Sequence, residues 1–169
     1  MTLGWIDGNT FIHVNSCLVA SSKESNLIGP VKNFDKRSIA GRRRKMAQTK
    51  VPEVMLDLID TAVASGLSAD YVLFDCWFAN PAQITAIKSR GMDVIAMIKK
   101  SSRIKYEYNG EKLNIRQIYN RNKKRRGRSK YLLSVDVMVG KESPIPARIV
   151  CMRNKANRKD WLAFLCTNP

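Results

Sequence analysis

Histidine, acidic residues and closely spaced cysteines are scarce in this chain, and each shortage argues against a class of chemistry. The 169 residues include one histidine, His13, and 14 acidic residues against 30 Lys and Arg. The four cysteines, Cys17, Cys76, Cys151 and Cys166, are far apart and form no C-x-x-C pair. The sequence therefore argues against a Cys/His zinc site, a disulfide framework and a Ser-His-Asp triad.

Long apolar runs are also missing from the sequence. No run approaches the roughly 20 apolar residues that a membrane helix needs. Residues 1–7 contain no basic stretch followed by an apolar one, as an export signal would. These features predict a soluble protein with a cytoplasmic location and no membrane partner.

What the sequence has in excess is positive charge. The formal net charge is +16 and the pI is about 10.1, yet 44% of the residues are hydrophobic, enough to build a core. A folded domain this basic usually meets nucleic acid or another anionic surface. Nucleic acid is the favoured partner, and a structural or ribosome-associated role is the alternative.

The first third of the chain predicts a hairpin, a connection and a helix. Residues 2–7 and 10–20 have strand composition, and the Asp-Gly-Asn sequence between them is a hairpin turn signal. Residues 21–50 indicate an exposed basic connection that ends in Gly-Arg-Arg-Arg-Lys. A helix is expected from about Pro52 to Gly66, because the apolar residues between these two positions would form one face of a helix.

The middle of the chain predicts a parallel crossover. Residues 71–75 and 93–98 resemble buried strands, and Asn80 and Pro81 mark the start of the helix between them. Functional groups of α/β sheets collect at the carboxyl ends of parallel strands, and Asp75 occupies such an end.

The remainder of the chain is predominantly β in character. We expect a strand at 106–108, a turn at Asn109 and Gly110, and a brief helix over 113–119. Further strands are expected at 131–139, 147–153 and 161–167. The fold class is thus α/β, with a β-rich segment after residue 98.

Asp75 has two interpretations. It could hydrogen-bond the amides of its own loop, as an Asp after a strand often does. Alternatively it could bind Mg²⁺ or Mn²⁺, because carboxylates are hard oxygen ligands. Phosphoryl transfer with two such ions requires several carboxylates that converge on one point, so Asp75 alone does not make that site.

Clusters of lysine and arginine are the second candidate site, because they can contact phosphate without reading base sequence. The alternative is that these clusters are solvated loops that keep the protein soluble. Tyrosines around the denser cluster and Trp161 could stack on bases, but core packing is favoured for them. The residues predicted to contact nucleic acid are Arg42, Arg43, Arg44, Lys45, Lys99, Lys100, Lys123, Lys124, Arg125, Arg126, Arg128 and Lys130.

Several blocks of this sequence resemble one protein family. The blocks lie at residues 3–11 (LGWIDGNTF), 35–37 (DKR), 71–78 (YVLFDCWF), 93–100 (DVIAMIKK), 124–128 (KRRGR) and 158–163 (RKDWLA). They are similar to successive blocks of bacterial insertion-sequence DDE transposases, in the group related to the transposon-five transposase. The resemblance spans nearly the whole chain, and its most specific block contains Asp75.

The resemblance implies a ribonuclease H-like catalytic core with a β-rich insertion. Residues 1–98 would be an incomplete core, and residues 99–169 would be the insertion region with its basic loop. In such enzymes three carboxylates bind two ions, Mg²⁺ or Mn²⁺, for DNA strand cleavage and transfer. Asp75 matches the second of these acids, and a homodimer on paired DNA ends is the assembly that the resemblance implies.

The other two acids of that family have no counterpart in this sequence. The first lies upstream of the block at residues 3–11, and the third lies on a helix downstream of the insertion. Asp7 is in a hairpin turn, at a different place from the first acid. We therefore expect an internal piece of a transposase that binds DNA but is inactive alone; the alternative is a noncatalytic basic nucleic-acid-binding protein.

Overall fold

A computed structural model describes residues 1–21, 23–26, 28, 34–122, 130–157 and 159–168. The chain divides into two compact units, Met1–Ser68 and Ala69–Pro169. Within the described residues, no helix has the length and apolar character needed to cross a membrane. The boundary predicted between residues 98 and 99 separates an incomplete core from an insertion region, and it stays a prediction.

The first unit opens with the expected hairpin. Strand β1 (Thr2–Ile6) pairs antiparallel with strand β2 (Phe11–Ser16). The Asp7 carboxylate accepts hydrogen bonds from the backbone N–H groups of Asn9 and Thr10, at 2.9 and 2.7 Å. Gly8 has a φ of 99°, a left-handed conformation that glycine adopts without steric cost. A short 3₁₀ helix follows at Glu24–Asn26.

Two helices complete the first unit. Helix α1 (Ile39–Gln48) has no buried residue, whereas helix α2 (Val51–Ala64) buries one face. Val54 and Leu58 of α2 form a small core with Cys17, against which Met1, Leu3 and Met46 pack. Helix α2 confirms the predicted helix, since its bounds match the apolar pattern and the proline near its start.

Residues 39–48 of the predicted exposed basic connection form helix α1, which the sequence did not predict, although none of them is buried. Its N-terminus is capped by Ser38, whose Oγ accepts a hydrogen bond from the N–H of Gly41 at 3.0 Å. A Cβ at Gly41 would lie 2.1 Å from the carbonyl oxygen of Asp35, so glycine allows the preceding turn to pack against the helix. The basic residues are helical because of this cap and turn, although the segment lacks the apolar periodicity that would have predicted a helix.

The second unit is a seven-stranded mixed sheet with two helices in its described part. Along the sheet the strand order is β3-β4-β9-β8-β7-β5-β6. The elements in chain order are β3 (Tyr71–Phe74), α3 (Pro81–Lys88), β4 (Asp93–Met97), β5 (Tyr106–Tyr108), β6 (Glu111–Leu113), α4 (Ile115–Asn122), β7 (Tyr131–Val139), β8 (Ile145–Arg153) and β9 (Trp161–Cys166).

The parallel crossover is confirmed. Strands β3 and β4 are parallel, with Tyr71 paired to Asp93 and Phe74 paired to Ala96. Helix α3 connects them, and the Asn80 side chain caps it by accepting a hydrogen bond from the N–H of Gln83 at 3.1 Å. Ile84 and Ile87 of α3 are fully buried, which holds the crossover together.

The β-rich segment continues the same sheet. Strand β9 pairs antiparallel with β4 on one side and with β8 on the other. Ile149 of β8 and Leu165 of β9 are paired in register and are fully buried. Residues that are far apart in sequence therefore share one core, and the start of β9 lies beside the carboxyl end of β4.

A polar network joins the opposite end of β4 to the end of β9. The Asp93 carboxylate accepts hydrogen bonds from Lys88 and from the hydroxyl of Thr167, at 2.5 and 2.7 Å. The Thr167 hydroxyl in turn accepts the N–H of Val94 at 2.9 Å. The hydrogen bond from Lys88, followed by that from Thr167, lowers the pKa of Asp93 below its ordinary value.

Replacing Asp93 with Asn should destabilise the second unit more at neutral than at acid pH. A depressed folded-state pKa means that the charged carboxylate stabilises above the unfolded-state pKa, and that this stabilisation is lost as the pH falls through the folded-state pKa. We expect a loss of about 1–3 kcal/mol at neutral pH that shrinks below about pH 4, measured by urea unfolding. Glu142→Gln, at an exposed carboxylate, is the control, and a pH-independent cost for D93N would contradict the expectation.

Candidate functional site

The carboxyl ends of β3 and β4 lie at one edge of the sheet, because the two strands are parallel. Asp75 directly follows β3, and Lys99 and Lys100 follow β4 after Ile98. Ile98 donates its N–H to the carbonyl of Ala163 in β9 at 2.9 Å. This edge, which we call the carboxyl edge, is therefore built by β3, β4 and the first residues of β9.

Asp75 is exposed at the carboxyl edge and shapes its own loop. Its carboxylate accepts a hydrogen bond from the backbone N–H of Trp77 at 2.8 Å. This is the loop contact that the sequence offered as one interpretation of Asp75. The contact orients the carboxylate, and it leaves the other carboxylate oxygen outside this turn.

Two other acids that could be considered as metal-binding partners of Asp75 make different contacts. Asp93 lies at the amino end of β4, away from the carboxyl edge. The Asp7 carboxylate is engaged by its own turn, where the N–H groups of Thr10 and then Asn9 lower its pKa. Asp75 thus lies at the carboxyl edge, where Asp160, directly before β9, is already paired with Lys100.

Trp77 and Lys99 meet beside Asp75. The Trp77 side chain is 75% exposed, and the Lys99 ammonium lies 4.1 Å from the centroid of its ring. Such a distance gives an attractive cation–π contact. Sequence reasoning predicted a phosphate contact for Lys99 but gave Trp77 no role; the available signal was an aromatic residue two positions after the strand-end acid.

A second cluster surrounds Trp161 at the start of β9. Trp161 stacks on Tyr119 of α4, with ring centroids 4.3 Å apart and planes 13° apart. The Lys100 ammonium lies 4.5 Å from the Trp161 ring centroid and pairs with the Asp160 carboxylate. Lys100, and after it the N–H of Trp161, lowers the pKa of Asp160. Trp161 therefore takes part in packing, the interpretation favoured from sequence.

The first unit's basic residues that were predicted to contact nucleic acid lie on helix α1. Arg42, Arg43 and Lys45 are exposed, and α1 contains no acidic residue. Arg44 is half-buried, with its guanidinium carbon 5.6 Å from the centroid of the Phe34 ring. The helix thus presents three of its four consecutive cationic side chains to solvent.

The denser basic cluster falls mostly outside the described residues. Lys130 is described: it is exposed, and its ammonium lies 5.5 Å from the centroid of the Tyr131 ring. The predicted contact residues that lie outside the described part are Lys123, Lys124, Arg125, Arg126 and Arg128.

Sequence comparison assigns the chain to a protein family. The sequence model of one family, described as DDE superfamily endonuclease, matches residues 1–161. The chain belongs to the DDE superfamily endonucleases. No curated protein and no solved structure matches it. Membership confirms the DDE transposase or endonuclease type that the sequence indicated, and it implies a transposase-like nuclease function with DNA as the substrate.

Nucleases of the DDE superfamily generally use divalent metal ions. The described part of this DDE chain does not fit a two-ion site, because it contains no group of three His, Cys, Asp or Glu side chains able to hold a metal. Two-ion phosphoryl transfer needs several carboxylates around the ions, and Asp75 is a single carboxylate. The described residues therefore support no two-ion reaction step.

Proposed function

We propose that this chain is the DNA-contacting part of a transposase catalytic domain, related to the transposon-five group, with a ribonuclease H-like core. The complete enzyme would cut and transfer DNA strands with Mg²⁺ or Mn²⁺, acting as a homodimer on paired DNA ends. The observation that carries the proposal is the position of Asp75 at the carboxyl edge of β3 and β4, within the family match over residues 1–161.

Asp75 would act in this enzyme as the second of the metal-binding acids. It is exposed, and its loop holds the carboxylate in one orientation through the N–H of Trp77. Carboxylate oxygens are the ligands that Mg²⁺ and Mn²⁺ prefer. Lys99, on the neighbouring strand end, would attract the phosphate backbone toward the same edge.

DNA binding by the isolated chain would not depend on that acid. Phosphate contacts come from cationic side chains, which helix α1 and the carboxyl edge present to solvent. A single carboxylate that binds no phosphate contributes nothing favourable to the binding free energy that these phosphate contacts supply. Binding and cleavage are therefore separable properties of the chain.

Competition binding tests the proposal. The isolated chain should bind labelled duplex DNA in excess EDTA with no requirement for Mg²⁺, and Asp75→Asn should bind at least as tightly as the unchanged chain. Fluorescence anisotropy with unlabelled DNA and RNA of the same length as competitors provides the measurement. Preference for RNA, or the absence of DNA binding, would overturn the proposal and favour the structural or ribosome-associated role.

A further inference from the structure

We propose that Trp77 and Lys99 form a platform for one unpaired nucleotide of the DNA strand held at the carboxyl edge. Trp77 would stack on the base, and Lys99 would contact the adjoining phosphate. The inference rests on the proposed DNA-binding function, and it adds a binding residue, Trp77, together with the state of the DNA that it recognises.

The exposure of Trp77 is the first observation behind this platform. Tryptophan is highly buried on average, yet this side chain is 75% exposed. The other two tryptophans differ: Trp5 donates its indole N–H to the carbonyl of Ser68 at 3.0 Å, and Trp161 stacks on Tyr119. Trp77 thus offers a large aromatic surface to solvent where the others are half-buried.

The contact with Lys99 indicates which ligand fits that surface. The ammonium lies 4.1 Å from the ring centroid, over the indole, and in the proposed complex the base would stack on the opposite face. A nucleotide supplies a flat π surface and a phosphate on the same unit, which matches an aromatic ring beside a cation. An acidic peptide would engage Lys99 but would leave the ring without a stacking partner.

A stacking contact with Trp77 favours an unpaired base. In a duplex each base is already stacked on its neighbours, so its face is reachable only when the base is single-stranded or has left the stack. A platform of this kind distinguishes single-stranded from double-stranded DNA, whereas the arginines of helix α1 contact backbone in either form.

The backbone of Trp77 is hydrogen-bonded to the side chain of Asp75. The backbone N–H of Trp77 donates to the Asp75 carboxylate at 2.8 Å, and Lys99 follows the strand paired with β3. A base on Trp77 would therefore place its phosphate near the carboxylate assigned to phosphoryl transfer. Trp77 would position the strand and would take no part in proton transfer.

The full chain and a short single-stranded oligonucleotide provide the test. Trp77→Leu removes the ring and Trp77→Phe keeps one, so these two variants form a matched pair. We expect W77L to weaken single-strand binding by about 5- to 150-fold, the range typical of one aromatic–base stack, and W77F to retain most of the affinity. Duplex binding should change little in either variant.

Lysine substitutions test the second half of the platform. Lys99→Gln should reduce the slope of log affinity against log salt by about 0.7 on single strands, the value for one lost phosphate contact. Lys112→Gln, at an exposed lysine of strand β6, is the control and should leave the slope unchanged. Equal effects of the two substitutions would show that Lys99 contributes only net charge, which overturns its assignment.

A spectroscopic measurement on the unchanged chain tests the stacking directly. 2-Aminopurine, a fluorescent adenine analogue quenched by stacking, is placed at successive positions of the oligonucleotide and titrated with the unchanged chain. Quenching at a bound position that is lost in W77L, with the circular dichroism spectrum preserved, supports the platform. Unchanged fluorescence at every position, while the oligonucleotide still binds, overturns the platform alone; absence of any DNA binding overturns the proposed function as well.

Discussion

Duplex DNA affinity of the isolated chain is expected to fall about 10³-fold between about 50 and 200 mM salt, as for a protein that neutralises about six phosphates. The physical reason is counterion release: each lysine or arginine that meets a phosphate frees condensed cations, and added salt opposes that release. With a formal net charge of +16, the chain has enough cations for such a footprint. Fluorescence anisotropy across a salt series measures the slope.

Helix α1 should account for a definite share of that slope. Changing Arg42, Arg43 and Lys45 together to Gln should lower the slope by about 2.7, or about 0.9 for each lost phosphate contact. The matched control changes Lys112, Lys141 and Lys155, which are also exposed, so both triple variants lose three positive charges. Equal losses of slope in the two variants would mean that net charge, rather than the α1 surface, drives binding.

Local signals in the sequence predicted the parts of the fold that are themselves local. The turn after β1 was predictable because Asp7 bonds the amides of Asn9 and Thr10 within its own loop. The start of α3 was predictable because Asn80 caps the helix through an amide three residues away. The parallel crossover was predictable because β3, α3 and β4 follow one another directly in the sequence. These contacts need no knowledge of the rest of the molecule.

Helix α1 and the place of β9 were not predictable for two different reasons. In α1 the apolar periodicity is absent, and the helix depends on a cap and on a close approach between Gly41 and the Asp35 carbonyl. Strand β9 pairs with β4, more than sixty residues earlier, through backbone hydrogen bonds that carry no local sequence mark. The predicted β-rich segment was confirmed, but its continuity with the β3-β4 sheet emerged only from the structure.

The candidate site was likewise predictable only in those features that are local in the sequence. Asp75 was placed correctly because a strand end can be read from the chain around it. The pairing of Lys99 with Trp77, and of Lys100 with Asp160, depends on the register between strands and on loop geometry. A prediction of DNA contact for Lys100 therefore has to compete with an ion pair that the sequence did not reveal, and that contact stays a prediction.

No strand cleavage by the isolated chain is expected with Mg²⁺ or with Mn²⁺. The described residues contain no group of three metal-binding side chains, and Asp75 alone cannot hold two ions in line with a phosphate. Enzymes accelerate their reactions by roughly 10⁶-fold or more, so a site without its other acids should give no product above background. End-labelled duplex and supercoiled DNA, resolved on gels after long incubation, provide the measurement.

Asp75→Ala is the control variant for this expected absence of cleavage. It should bind DNA at least as well as the unchanged chain and should be equally inactive, because the carboxylate is exposed and contributes no phosphate contact. An unrelated metal-dependent nuclease, added to the same DNA and buffer, serves as the positive control. Divalent-ion-dependent cleavage that Asp75→Ala abolishes would show that further acids converge on the carboxyl edge. Cleavage that persists in Asp75→Ala would point instead to a contaminating nuclease, since the proposed phosphoryl-transfer site requires Asp75.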